Sequence, residues 1–149
     1  MFKVEILNAA EVKNFLKQES WVIQGKIRFG LEQFLNKIAD TARAIVPVRT
    51  GRLQGSLAYE ISELGGGKIS GKVGTNVKYG KWVEFGTGLY GPHKTVIVPT
   101  QAKVLSWRVK GKRVFAKYVK GMRARPFMMP AFEKILPELY TFLKNAMRD

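Results

Sequence analysis

Hydrophobic positions along this chain fall into two helical stripes with a stretch of alternation between them. Leu31, Phe34, Leu35, Ile38, Ala42 and Ile45 follow Ile27 at offsets of 4, 7, 8, 11, 15 and 18, so on a helix they share one face. The pattern strengthens from Ser20 and must stop at Pro47, which disfavours helical backbone at Val46 and has no amide to donate. A second stripe follows Pro130 and holds Ala131, Phe132, Ile135, Leu136, Leu139, Phe142, Leu143 and Met147. Pro137 interrupts it and predicts a kink or a restart. Near the N-terminus Asn8 can cap a shorter helix carrying Val12, Phe15 and Leu16.

Between the stripes the period changes. Thr50-Gly51 makes a turn, after which Leu57, Tyr59 and Ile61 alternate with Ala58, Glu60 and Ser62 as in a half-buried strand. Gly65-Gly66-Gly67 closes a loop, and Ile69 with Val73 begins a second strand, giving a helix followed by a meander. From Val104 to Val119 a long hairpin is expected. With Gly111-Lys112 as its two-residue turn, Val109 stands opposite Val114, Trp107 opposite Ala116 and Leu105 opposite Tyr118, which gathers one apolar face.

A length of 149 residues fits one domain spanning 1–149, which would bury roughly 70% of the surface its unfolded chain exposes. The chain has no cysteine, which excludes disulfides, thiolate metal sites and a cysteine nucleophile. No run reaches the roughly 20 apolar residues of a membrane span, and Met1-Phe2-Lys3-Val4-Glu5 lacks a signal-peptide layout, so a cytoplasmic origin is expected. The formal net charge is +15, and it is unevenly spread. Residues 1–60 hold nine Lys or Arg against six acids, whereas residues 101–125 hold nine cations and no acid.

Candidate chemistry is sparse. His93 is the only histidine, in the loop-like Gly91-Pro92-His93-Lys94, and nothing in the sequence supplies the orienting carboxylate and nucleophile of a triad. Of eleven acids only Asp40 and Asp149 are aspartates, and the nearest internal pair, Glu60 and Glu63, reads as solvated rather than metal-binding. Gly86-Thr87-Gly88 lacks Walker or dinucleotide spacing, so its glycines are read as backbone turns. Glu84 is flanked by Trp82, Val83 and Phe85, which predicts a carboxylate at least partly out of water. It then needs a donor, and Arg49 or Arg52 is the expected partner. No catalytic, cofactor-binding or metal-binding residue is assigned.

Three segments carry more information together than singly. They are Pro47, Arg49, Thr50, Gly51, Leu53 and Ser56; then Tyr79, Val83, Glu84, Gly86 and Thr87; then Arg125, Pro126 and Phe127. In this order, over about Ile38 to Phe132, the chain resembles the tail-completion or neck proteins of long-tailed bacteriophages, morphogenesis proteins that act where tail joins head. The resemblance implies an α+β fold, with a long N-terminal helix and a C-terminal helix packed on a mainly antiparallel sheet bearing a long hairpin. It also implies a non-enzymatic virion protein without cofactor, assembling into a ring, commonly of six, at the head-proximal end of the tail. Its implied partners are copies of itself, the tail tube and head-side connector proteins, with no membrane, and its place is the virion after assembly in the bacterial cytoplasm.

Ring assembly gives a use to Leu89, Tyr90, Val96, Ile97 and Val98, apolar residues beside Pro92 and Pro99 in a segment too broken for buried strands. These are the expected subunit interface. The cations Arg108, Lys110, Lys112, Arg113 and Lys117 form a candidate basic patch. With Trp107, Phe115 and Tyr118 they raise the alternative of a nucleic-acid-binding protein. The expected hairpin register assigns Trp107 and Tyr118 to packing, so the patch is read as meeting acidic surfaces of neighbouring virion proteins, with nucleic acid at most a transient partner.

Overall fold

The computed structural model of the protein describes residues 2–5, 20–65 and 67–148. The expected helix around Asn8 lies outside them. The elements are β1 (Phe2–Glu5), α1 (Ser20–Ile45), α2 (Arg52–Gly55), β2 (Leu57–Glu63), β3 (Ile69–Thr75), α3 (Gly80–Phe85), β4 (Leu105–Val109), β5 (Lys112–Ala116), α4 (Met128–Ile135) and α5 (Leu139–Arg148). This is an α+β fold, with helices towards both ends of the chain packed together, the long one against a three-stranded antiparallel sheet, and a separate two-stranded antiparallel hairpin. The residues gather into two compact units, Met1–Val77 with Phe127–Asp149, and Lys78–Pro126.

In the first unit α1 is the centre. Its stripe is buried at Leu31, Phe34, Leu35, Ile38 and Ala42, and a fully buried residue of this kind gains about 2 kcal/mol over an exposed one. The stripe ends one residue early. Ile45 is 42% exposed and Val46 is buried instead, because the chain leaves the helix there while the Val46 amide still donates to Ala42 O at 2.9 Å. α1 packs on the sheet and on both C-terminal helices.

The sheet has the order β1-β3-β2, antiparallel throughout. Its helix-facing residues Leu57 and Val73 are buried, and the Tyr59 hydroxyl donates to Glu32 of α1 at 3.0 Å. Strand β1, which sequence reasoning missed, carries a short alternation of its own, Phe2 and Val4 against Lys3 and Glu5. At the opposite side of α1, Phe34 meets Phe142 of α5 edge to face, ring centroids 6.1 Å apart. Gly30 sets the closeness of that crossing: a Cβ there would lie 3.1 Å from Phe142 O and 3.2 Å from Leu143 Cα. Pro137 restarts the C-terminal helix as expected, with a 3₁₀ turn at Leu136–Glu138 dividing α4 from α5.

In the second unit the hairpin forms, but its register is not the one expected. Lys110 and Gly111 occupy the turn with φ of 48° and 81°, and Leu105 pairs with Ala116, Trp107 with Val114 and Arg108 with Arg113. Positive φ at both central positions is the type I′ geometry, whose twist matches that of the strands, and this moves the pairing by two residues from the type II′ alternative. An even shift keeps the faces. Trp107, Val109 and Val114 therefore still share a side, while Tyr118 falls beyond the ladder. The strands are five residues each, and both faces of the hairpin are largely exposed.

Candidate interaction surface

The first motif builds a corner in the first unit. Leu53 is buried in the single turn α2, Ser56 Oγ donates to Leu53 O at 2.8 Å and meets Thr75 Oγ1 at 2.6 Å, and Gln54 returns to Arg43 O of α1 at 2.9 Å. Gly51 enters this turn with φ of 73°. Arg49, Thr50 and Arg52 are exposed, and Pro47 is half-buried. The third motif is split: Phe127 is buried in the core of the first unit, while the Arg125 amide of the second donates to Val83 O at 2.7 Å.

The second motif organises the second unit. In α3 the positions Gly80 and Glu84, one turn apart, are buried, with Glu84 5% exposed. Tyr79, Trp82 and Phe85 point outward, Trp82 being 49% exposed, so these aromatics do not form the apolar shelter expected around Glu84. Arg49 and Arg52, its expected partners, belong to the first unit.

Beyond α3 the chain crosses its own later segment at close range. Thr87 N donates to Met122 O at 2.9 Å, Met122 N to Thr87 Oγ1 at 2.9 Å, and Leu89 N to Lys120 O at 2.7 Å. Gly88 and Gly121 sit at the crossing with φ of 61° and 90°. A Cβ on Gly88 would lie 2.5 Å from Lys120 O, and one on Gly121 2.5 Å from the Thr87 carbonyl carbon. The glycines thus serve backbone approach, and the Thr87 and Leu89 amides are already spent on carbonyls rather than available to a phosphate. Ile97 and Val119 exchange both backbone bonds, at 2.9 and 3.0 Å, which pins the following loop.

This scaffold shapes a groove of about 810 Å³ whose walls include Trp82, Phe85, Val96, Ile97 and Val98, with His93 and Lys81 among the polar lining groups. Three of the five expected interface residues therefore come together. Leu89 and Tyr90 lie on the neighbouring 3₁₀ turn Gly88–Tyr90, exposed but outside the groove, with the Arg123 guanidinium 5.3 Å from the Tyr90 ring centre. Sequence reasoning missed Trp82 and Phe85 as surface groups, since their neighbourhood to Glu84 suggested burial. The five cations of the basic patch are all exposed, and Trp107 at 40% and Phe115 at 60% are exposed with them, contrary to the packing role expected of Trp107.

Among the described residues no group of three or more His, Asp or Glu gathers to hold a metal, and no helix is long and apolar enough to cross a membrane. Residues 10–86, about half of the chain, match the model of a family described as "Bacteriophage HK97-gp10, putative tail-component". The chain belongs to this family. The matched span contains the first motif, the second as far as Gly86, and all of α1, α2, β2, β3 and α3, while Thr87, Arg125-Pro126-Phe127 and the hairpin lie beyond it. No curated protein and no solved structure matches the chain. Membership of the HK97-gp10-like family makes this a phage tail component, a structural protein of the virion that meets other virion proteins.

Proposed function

We propose that the protein is a non-enzymatic subunit of a ring at the head-proximal end of the tail, where it completes the tail and joins it to the head. The observation that carries this reading is a pair of unlike apolar surfaces in one HK97-gp10-like chain. One is the groove walled by Trp82, Phe85 and Val96 to Val98; the other is the exposed hairpin side with Trp107, Val109 and Val114, which Lys112 shares. The groove of one copy can receive the hairpin of the next. Such contact is head-to-tail, and contacts of this kind close into rings when the rotation allows. Leu89 and Tyr90 extend the apolar rim beside the groove, and six subunits is the stoichiometry expected. The motif residues act here as fold determinants, those from Tyr79 to Thr87 with Arg125 and Pro126 in the unit that carries these surfaces, and those from Pro47 to Ser56 with Phe127 in the other.

The test is the mass of the purified protein in solution, together with electron microscopy of the protein alone and mixed with tail tubes. Rings, or a cap at one end of the tube, are expected. A monomer at all concentrations that never decorates tubes overturns the reading.

A further inference from the structure

The second unit, Lys78–Pro126, contains twelve Lys or Arg and a single acid, Glu84, and that acid is buried. Its surface therefore offers no carboxylate at all to its own cations. The hairpin concentrates the consequence. Arg108 and Arg113 stand directly opposite one another in the ladder, which brings their Cβ atoms to within about 5.5 Å, and like charges so placed are destabilising. Lys110, Lys112 and Lys117 flank them, and the ion pairs found among the described residues, Arg28 with Glu63 and Arg43 with Asp40, leave all five hairpin cations unengaged.

From this we infer that the hairpin contacts the phosphate backbone of double-stranded DNA, without sequence preference and reversibly with salt. Two alternatives fit less well. A second copy of the chain gives the arginine pair no counter-charge, because the groove it offers is lined by Lys81 and His93 and belongs to a unit whose single acid, Glu84, is buried. An acidic protein surface would ask for a compact footprint with an apolar centre and charges at its rim. Here cations stand on both sides of the ladder and in its turn, Arg108 and Arg113 beside Phe115 on one side, Lys112 beside Val109 and Val114 on the other and Lys110 between the strands, so no cation-free apolar centre forms. A dense, regular row of phosphates needs only cation density, and each neutralised phosphate releases counterions. The inference does not rest on the ring: it concerns the single subunit, and DNA binding and ring formation are measured separately.

The experiment is fluorescence anisotropy of the purified full chain with a labelled duplex of about 30 base pairs over a series of salt concentrations, where each phosphate contact contributes about 0.9 to the slope of log K against log salt. Three proteins are compared: the wild type; a hairpin variant with Arg108→Gln, Lys110→Gln, Lys112→Gln, Arg113→Gln and Lys117→Gln; and a control losing five exposed cations elsewhere, Lys37→Gln, Lys68→Gln, Lys134→Gln, Lys144→Gln and Arg148→Gln. Since all ten side chains replaced are exposed or in the turn, thermal unfolding should be unchanged, and Arg108→Lys with Arg113→Lys should retain the slope. The hairpin variant is expected to lose at least three units of slope and the control less than one. Equal losses in both variants overturn the proposal, as does a wild type that ignores duplex at low salt. A hairpin variant that keeps its slope yet no longer binds tail proteins also overturns it, in favour of an acidic protein partner.

Discussion

Replacing Gly121 by alanine tests whether the crossing of residues 86–88 with residues 120–122 holds the second unit together. Two costs combine at this position. The backbone has φ of 90°, a left-handed conformation that costs an L-residue about 1 kcal/mol. The new methyl would also fall 2.8 Å from Gly88 Cα and closer still to the Thr87 carbonyl, so backbone rather than a flexible side chain must move, adding about 2–3 kcal/mol. Gly111 isolates the first cost, because it has φ of 81° with nothing within 4 Å of its would-be Cβ. Gly111→Ala should therefore cost about 1 kcal/mol and Gly121→Ala about 3–4, which near this chain length separates their melting temperatures by roughly 5–10 °C. Amide exchange supplies the local reading. The Leu89 and Thr87 amides, bonded to Lys120 O and Met122 O, should lose protection in the Gly121 variant and keep it in the Gly111 variant. Equal melting temperatures with equal protection would refute the claim that this crossing is tight.

Three further outcomes are expected. Val98→Asp puts a charge on a 54% exposed groove wall; it should leave thermal unfolding within about 0.5 kcal/mol of wild type and remove the higher-mass species, and survival of that species would clear the groove of any part in assembly. Glu84→Ala should destabilise the protein by about 2–3 kcal/mol because it deletes a buried carboxylate, and a double-mutant cycle with Arg49→Ala or Arg52→Ala measures whether either arginine is its partner; an unaltered melting temperature would make Glu84 dispensable. The Tyr59 phenol is held above its ordinary value of 10.0, first by the hydrogen bond it donates to Glu32, then by desolvation, then by the Glu32 charge. A raised folded value means its contribution is complete below pH 10 and is lost as pH climbs through the folded value, so Tyr59→Phe should flatten part of the alkaline loss of stability; parallel curves for the two proteins would discount the bond.

What could be read from the sequence divides along physical lines. The stripe from Ile27 to Ala42 and the alternation from Leu57 to Ile61 were legible because long periodic segments declare which face is buried. The stop at Pro47 and the break at Pro137 follow from covalent geometry, and both occur where expected. The hairpin register was less accessible. Gly111 can serve either position of a two-residue turn, and the choice depended on Lys110 accepting a left-handed conformation that its residue type does not advertise. Trp82 and Phe85 were misjudged for a related reason, since a helix of six residues is too short to establish a period. The crossing at Gly88 and Gly121 left no signal beyond the glycines themselves, because backbone-to-backbone bonds have no side-chain signature.

The charge pattern shows how far composition alone can go. That residues 101–125 lack an acid is visible in the sequence, but the expected register assigned Trp107 and Tyr118 to packing and so turned the segment toward protein partners. The structure reverses the premise. Trp107, Phe115 and Tyr118 are all exposed, the nearest acid in the unit is buried, and the Arg108 and Arg113 side chains project from one side of the ladder. Two unlike requirements then fall on a single hairpin: Trp107, Val109 and Val114 lose by staying wet, and the cations, Arg108 and Arg113 on one side with Lys112 on the other, lose by being dried. An assembly that covers the apolar residues and leaves the cations facing a solvated polyanion satisfies both, and each half has its own measurement: particle mass for the apolar residues, the salt slope on duplex DNA for the cations.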